Sequence, residues 1–87
     1  MPQYSQDEIR ANVKRVIADL TGRKAEEIDD SASFAEDLGI DSLTATEMMV
    51  SVERTYRIRI PEGEFTDIRN VNDAVRATQK YLGTAPV

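Results

Sequence analysis

Apolar side chains recur three or four positions apart in three separate stretches of this chain, the spacing of one face of a helix. The first stretch holds Ile9, Val13, Val16, Ile17 and Leu20. It opens on Ser5-Gln6-Asp7-Glu8, a capping box, and closes at Thr21-Gly22, where glycine suits a helix end. The second runs from Ser42 to Tyr56 through Leu43, Thr46, Met49, Val50 and Val52, with no Gly or Pro before Pro61. The third carries Val71, Ala74, Val75, Thr78 and Leu82, with Tyr81 at its edge. Asn70 supplies its cap, and Gly83 is expected to stop it.

The segments between are shorter on signal. Arg57-Ile58-Arg59-Ile60 alternates but has no partner strand, so it is expected to be an extended connector with both isoleucines turned inward. Pro61 then starts a short helix from Glu62 to about Ile68, weakened by Gly63, with Phe65 and Ile68 as core contacts. Residues 23 to 41 form a connection too long to be structureless in a small domain. Ile28, Phe34, Leu38 and Ile40 are expected to anchor it. Ser33-Phe34-Ala35-Glu36 resembles another capping box, which predicts a helical turn from Ser33 to Leu38. The fold class is therefore all-α: a small four-helix bundle with three longer helices, a short third helix and a long loop between the first two. With 87 residues it is expected to be a single domain over 1–87, with flexible ends at 1–5 and 83–87.

Composition narrows the chemistry. The chain has no cysteine and no histidine. The usual general base, soft metal ligands and strongest nucleophile are all missing, so autonomous acyl or phosphoryl chemistry is not expected and the protein is not expected to be an enzyme. If a thiol takes part, it sits on something attached. No apolar run approaches membrane-spanning length and the N-terminus has no signal pattern, so a cytoplasmic protein that does not enter membranes is expected.

The net charge of −5 is unevenly placed. No Lys or Arg occurs between Lys24 and Arg54, an interval holding Glu26, Glu27, Asp29, Asp30, Glu36, Asp37, Asp41, Glu47 and Glu53. Such a field attracts basic partners and repels nucleic acid. The acidic loop fails the calcium-loop pattern: counted from Asp29, the third, fifth and sixth positions are Ser31, Ser33 and Phe34, and the twelfth is Ile40. No metal site is predicted.

The acidic interval is centred on Leu38-Gly39-Ile40-Asp41-Ser42-Leu43. Gly39 suits a sharp turn, and Asp41 and Ser42 both suit a helix start. Ser42 is expected at or beside the first turn of the second helix, exposed, at its positive end, where a phosphate ester is stabilised. Asp-Ser before an apolar run is first of all a helix cap, and most such serines carry nothing.

The whole string, with Glu47, a Met/Val-rich helix, Ile60-Pro61 and a final amphipathic helix, resembles the acyl carrier protein family over roughly residues 6 to 82. The resemblance implies covalent 4'-phosphopantetheine on Ser42, with Asp41 and Leu43 flanking it and contacting a phosphopantetheinyl transferase. It implies acyl groups held as thioesters for a ketosynthase, an acyltransferase and other acyl-processing enzymes, and a monomeric carrier. Carriers are recognised through the second helix, so Leu43, Met48 and Val52 are expected to form an exposed stripe, flanked by Glu47 and Glu53. In the family the short third helix lines the acyl cavity, which makes Phe65 and Ile68 candidate chain contacts.

Arg54 departs from the acid common in fatty-acid carriers and leans the resemblance towards polyketide or other secondary-metabolite biosynthesis rather than fatty-acid synthesis. Asp41 before the serine resembles acyl carriers more than peptidyl or aminoacyl carriers, which often have His there. The Met-Pro start suggests a free-standing protein. The competing alternatives are a peptidyl or aminoacyl carrier and an unmodified helical interaction module.

Overall fold

The structure is a computed structural model and describes residues 4–84. Four helices follow in order: α1 (Gln6–Thr21), α2 (Ser42–Tyr56), α3 (Glu62–Phe65) and α4 (Val71–Thr84). A single 3₁₀ turn, Ala25–Glu27, precedes α2. Among the described residues there is no strand.

α1 begins where its cap dictates: the Ser5 Oγ accepts the Glu8 N–H at 3.1 Å. It ends at Gly22, which takes φ 76 and donates its N–H to the Ala18 carbonyl. Ile9, Val13 and Ile17 are fully buried. Leu20, expected with them, is 40% exposed. It has the right angular position on the helix, but it lies in the last turn, where cover runs out. α1 packs on both α4 and α2. The Asn12 Nδ2 donates to the Tyr56 hydroxyl at 2.6 Å, and Tyr4 meets the same ring edge-on at 4.7 Å. These contacts fix the C-terminal end of α2 beside the first half of α1. Ser42 is thereby held at the other end of α2, about 21 Å away at 1.5 Å per residue.

The long connection is tied down throughout. Ile28, Phe34 and Ile40 are buried, and Leu38 packs partly against the core. The Asp30 carboxylate is ion-paired with Arg10, whose Nε lies at 2.8 Å, and with the Lys14 ammonium, while the Asp30 backbone carbonyl accepts the Asn72 N–H at 3.2 Å. One residue therefore joins the loop to α1 and α4. The turn at Ser33 forms, with the Ser33 Oγ accepting the Glu36 N–H at 3.1 Å. The reciprocal acceptor is the carboxylate of Asp37, not of Glu36, at 2.8 Å from the Ser33 nitrogen. The 3₁₀ turn has too few residues to leave a periodic signal.

α2 ends on Arg57 at φ 56, a left-handed residue that is not glycine. Ile60 is buried and Ile58 half-buried, as the connector requires. α3 is shorter than expected. After Phe65 the chain continues to Ile68 in single turns, with the Ile68 N–H on the Phe65 carbonyl at 3.2 Å. α4 is capped by the Asn70 Oδ1, which accepts the Asp73 N–H at 2.8 Å. Its core face is Val71, Ala74, Val75, Ala77 and Thr78. The Thr78 hydroxyl is satisfied by the Ala74 carbonyl at 2.8 Å. The helix does not stop at Gly83 but includes it. Glycine weakens a helix by about 1 kcal/mol without blocking it. Of the expected loose ends, residues 1–3 and 85–87 lie outside the described residues.

Candidate functional site

Gly39 sets up the approach to α2. It takes φ 65, and the residues on either side are held: the Leu38 carbonyl accepts from the Arg23 Nη2 at 3.4 Å, and the Ile40 N–H reaches the Phe34 carbonyl at 2.7 Å. Asp41 then caps the helix, its Oδ1 accepting the Thr44 N–H at 2.8 Å. That backbone bond, with one from the Thr44 side chain, holds the Asp41 carboxyl below the usual carboxylate range.

Ser42 is the first residue of α2 and is exposed. The Ala45 N–H goes to the Asp41 carbonyl at 2.9 Å, so the N–H groups of Ser42 and Leu43 precede the helical ladder. An anionic ester on the Ser42 hydroxyl would stand at this positive end, beside unsaturated donors. The residues present fit a phosphate-linked group.

Ser42 also stands at the mouth of a cleft of about 540 Å³ between the Ser33 turn, α2 and the segment that follows α3. Its floor is buried: Phe34, Ile40, Met48, Met49 and Ile68. Its rim is exposed and polar: Glu36, Asp41, Ser42, Thr46, Thr66 and Arg69. Phe65 lines it from the α3 side. The structure thus brings Ser42, Phe65 and Ile68 to one cleft, a grouping the sequence could propose only by resemblance. It adds the two methionines to that cleft as floor, and Arg69 to the rim.

The expected docking stripe is different in composition. Leu43 is 68% exposed, whereas Met48 and Val52 are 1% exposed each and belong to the core. They share the face of Met49 and Tyr56 that packs inward, and Leu43 lies off that face. Glu47 is exposed and lies one turn beyond Leu43. Glu53 is half-buried, and its carboxylate accepts the Ile60 N–H at 2.7 Å. The acidic interval is similarly occupied. Asp29 binds the Ser31 N–H and hydroxyl, Asp30 binds Arg10 and Lys14, and Asp37 binds Ser33. Glu26, Glu27, Glu36 and Glu47 remain unpaired among the described residues. No group of three acidic side chains there is placed to hold a metal ion.

A family model described as the phosphopantetheine attachment site matches residues 11–78. An acyl carrier protein of Rickettsia bellii is 41% identical over 75 residues, covering 86% of this chain and 87% of the relative. The meromycolate extension acyl carrier protein of Mycobacterium leprae is 38% identical over 76 residues, covering 87% of this chain and 66% of the relative. Among solved structures, the acyl carrier protein from Enterococcus faecalis superposes with a TM-score of 0.75 at 20% identity, over 90% of this chain and 99% of that one, a likeness that shows the fold.

Proposed function

The chain belongs to the acyl carrier proteins, whose phosphopantetheine attachment domain it carries, and on that premise we propose that Ser42 is the residue bearing the 4'-phosphopantetheine. What carries the assignment is position: an exposed hydroxyl on the first residue of α2, at the mouth of the cleft. The other serines have other work or other places. Ser5 caps α1, Ser31 donates to Asp29, Ser33 caps its turn, and Ser51 lies within α2, half-buried.

Once attached, the group supplies the thiol on which acyl chains ride as thioesters, a thiol this chain does not itself possess. The protein's own residues do the rest. Asp41 fixes where α2 starts, and so where the Ser42 hydroxyl stands. Leu43 and Glu47 offer an apolar contact and a charge on the outward side of the same helix, to the transferase and to basic acyl-processing partners such as a ketosynthase or acyltransferase. Tethering then raises the effective concentration of the acyl group at each partner.

The cleft is of the size of a small-molecule site, about 300–1,000 Å³. Phe65 and Ile68 would contact a chain folded back into it, over the floor of Met48 and Met49. Among the described residues no helix is long and apolar enough to cross a membrane.

Intact mass after incubation with coenzyme A and a phosphopantetheinyl transferase tests the assignment. The wild type should gain one phosphopantetheine and Ser42→Ala none. Equal gains in the two proteins would overturn it.

A further inference from the structure

The acidic interval around Ser42 contains no base, yet the fold brings one to it. Arg69 follows the turns after α3, and its backbone is held on both sides. Its carbonyl accepts the Phe34 N–H at 2.9 Å, and its own N–H donates to the Asp73 carboxylate at 3.1 Å. The side chain therefore starts from a fixed point between the Ser33 turn and α4. Arg69 lines the same cleft as Ser42 and is exposed at its rim.

Among the described residues it is the one cation lining that cleft, and its side chain pairs with no carboxylate there. Four cations elsewhere are held by carboxylates. Arg10 and Lys14 are spent on Asp30, Arg76 on Asp73, and Lys80 on Glu64. The rim hydroxyls are occupied too: Thr46 donates to the Ser42 carbonyl at 2.9 Å and Thr66 to the Gly63 carbonyl at 3.2 Å.

We propose that Arg69 is a positioning residue for the prosthetic arm, its guanidinium holding the phosphodiester on Ser42 at the cleft side of α2 and so aiming the arm over the cleft rather than out to solvent. This rests on Ser42 being the attachment point. The phosphodiester is an anion placed next to Asp41 and Glu36, which repel it. The α2 N-terminus draws it in, but along the helix axis and without preference for one side. On the cleft side Arg69 is the cation that breaks that symmetry, and a guanidinium fork matches two phosphate oxygens at once. The arm then leaves Ser42 already turned towards Phe65 and Ile68.

The test uses the arm-bearing protein, with intact mass and the Ser42→Ala control locating the arm. The ³¹P resonance of the phosphodiester is compared among wild type, Arg69→Ala and Arg69→Lys, at low and high salt. The wild-type resonance should move with salt and shift in Arg69→Ala, where the salt dependence should be lost; Arg69→Lys should lie between. In the wild type alone, the Arg69 Nε resonance should shift when the arm is added. An Arg69 Nε that does not move, or a ³¹P resonance indifferent to Arg69→Ala in loaded protein, overturns the proposal. A wild type that takes no arm on Ser42 overturns the attachment assignment instead, and the proposal with it.

Discussion

The carboxylate of Glu53 accepts the backbone N–H of Ile60 at 2.7 Å, seven residues along and across a left-handed turn. The Glu53 carbonyl accepts two more, from Arg57 and Ile58. One residue thus folds the whole connector between α2 and α3 and brings Ile60 into the core. Hydrogen bonds to a charged group contribute about 1.5–3 kcal/mol. Glu53→Ala should therefore lower unfolding stability by about 1–3 kcal/mol in urea, with Glu53→Gln losing less because an acceptor remains. If Glu53→Ala keeps full stability and weakens only partner binding, Glu53 is a docking residue after all.

Asp41 makes stability depend on pH in one direction. Its carboxyl lies below the ordinary range because the folded state presents the Thr44 N–H and side chain to the ionised form. The unfolded chain lacks these donors and binds its proton more readily. The stabilisation is thus complete above the unfolded value of about 3.9 and is lost as pH falls through the lower, folded value. The urea midpoint should fall in that acid window for the wild type and stay flatter in Asp41→Asn, which keeps an accepting oxygen without the charge. Following the Thr44 amide by NMR should show the same titration. A wild-type midpoint no more acid-sensitive than that of Asp41→Asn would refute this.

Arg57 sits at φ 56 where glycine is the usual choice. A left-handed non-glycine residue carries about 1–2 kcal/mol of strain. Arg57→Gly removes that strain but gives the unfolded chain more freedom, at about 0.4–1 kcal/mol. The difference predicts a net gain of about 0.8 kcal/mol, seen as a higher denaturation midpoint with unchanged helix content. A loss of stability would mean that the arginine side chain makes a contribution of its own.

The same residue explains why part of the site was hidden in the sequence. The three long helices were legible because spacing and caps are local: Ser5 to Glu8, Asp41 to Thr44 and Asn70 to Asp73 each lie within one turn. The turn at Arg57 carries no glycine, so nothing announced that Glu53 would fold back on Ile60. Met48 and Val52 were misplaced for a related reason. Apolar residues wrap too far round α2 for its own pattern to say which side meets α1 and α4. Arg69 was invisible because its place at the cleft comes from a backbone bond to Phe34, far away in the chain. Ser42 itself was legible from a six-residue string.

Separating Leu43 from Met48 tests the redrawn outward face of α2. Leu43 is 68% exposed, so Leu43→Ser removes little buried area and should change unfolding stability by less than about 0.5 kcal/mol. Met48 is 1% exposed on the cleft floor, and truncating a buried methionine to alanine costs about 2–5 kcal/mol. The two should also diverge in function. With Leu43→Ser, the transferase should load the folded protein more slowly, because the apolar contact beside the reacting hydroxyl is gone. With Met48→Ala, loading of whatever fraction stays folded should keep its wild-type rate. Denaturant melts and initial loading rates, measured on the same samples, give both readouts. Slow loading in folded Met48→Ala with full-speed loading in Leu43→Ser would place the recognition surface on the cleft side of α2 instead.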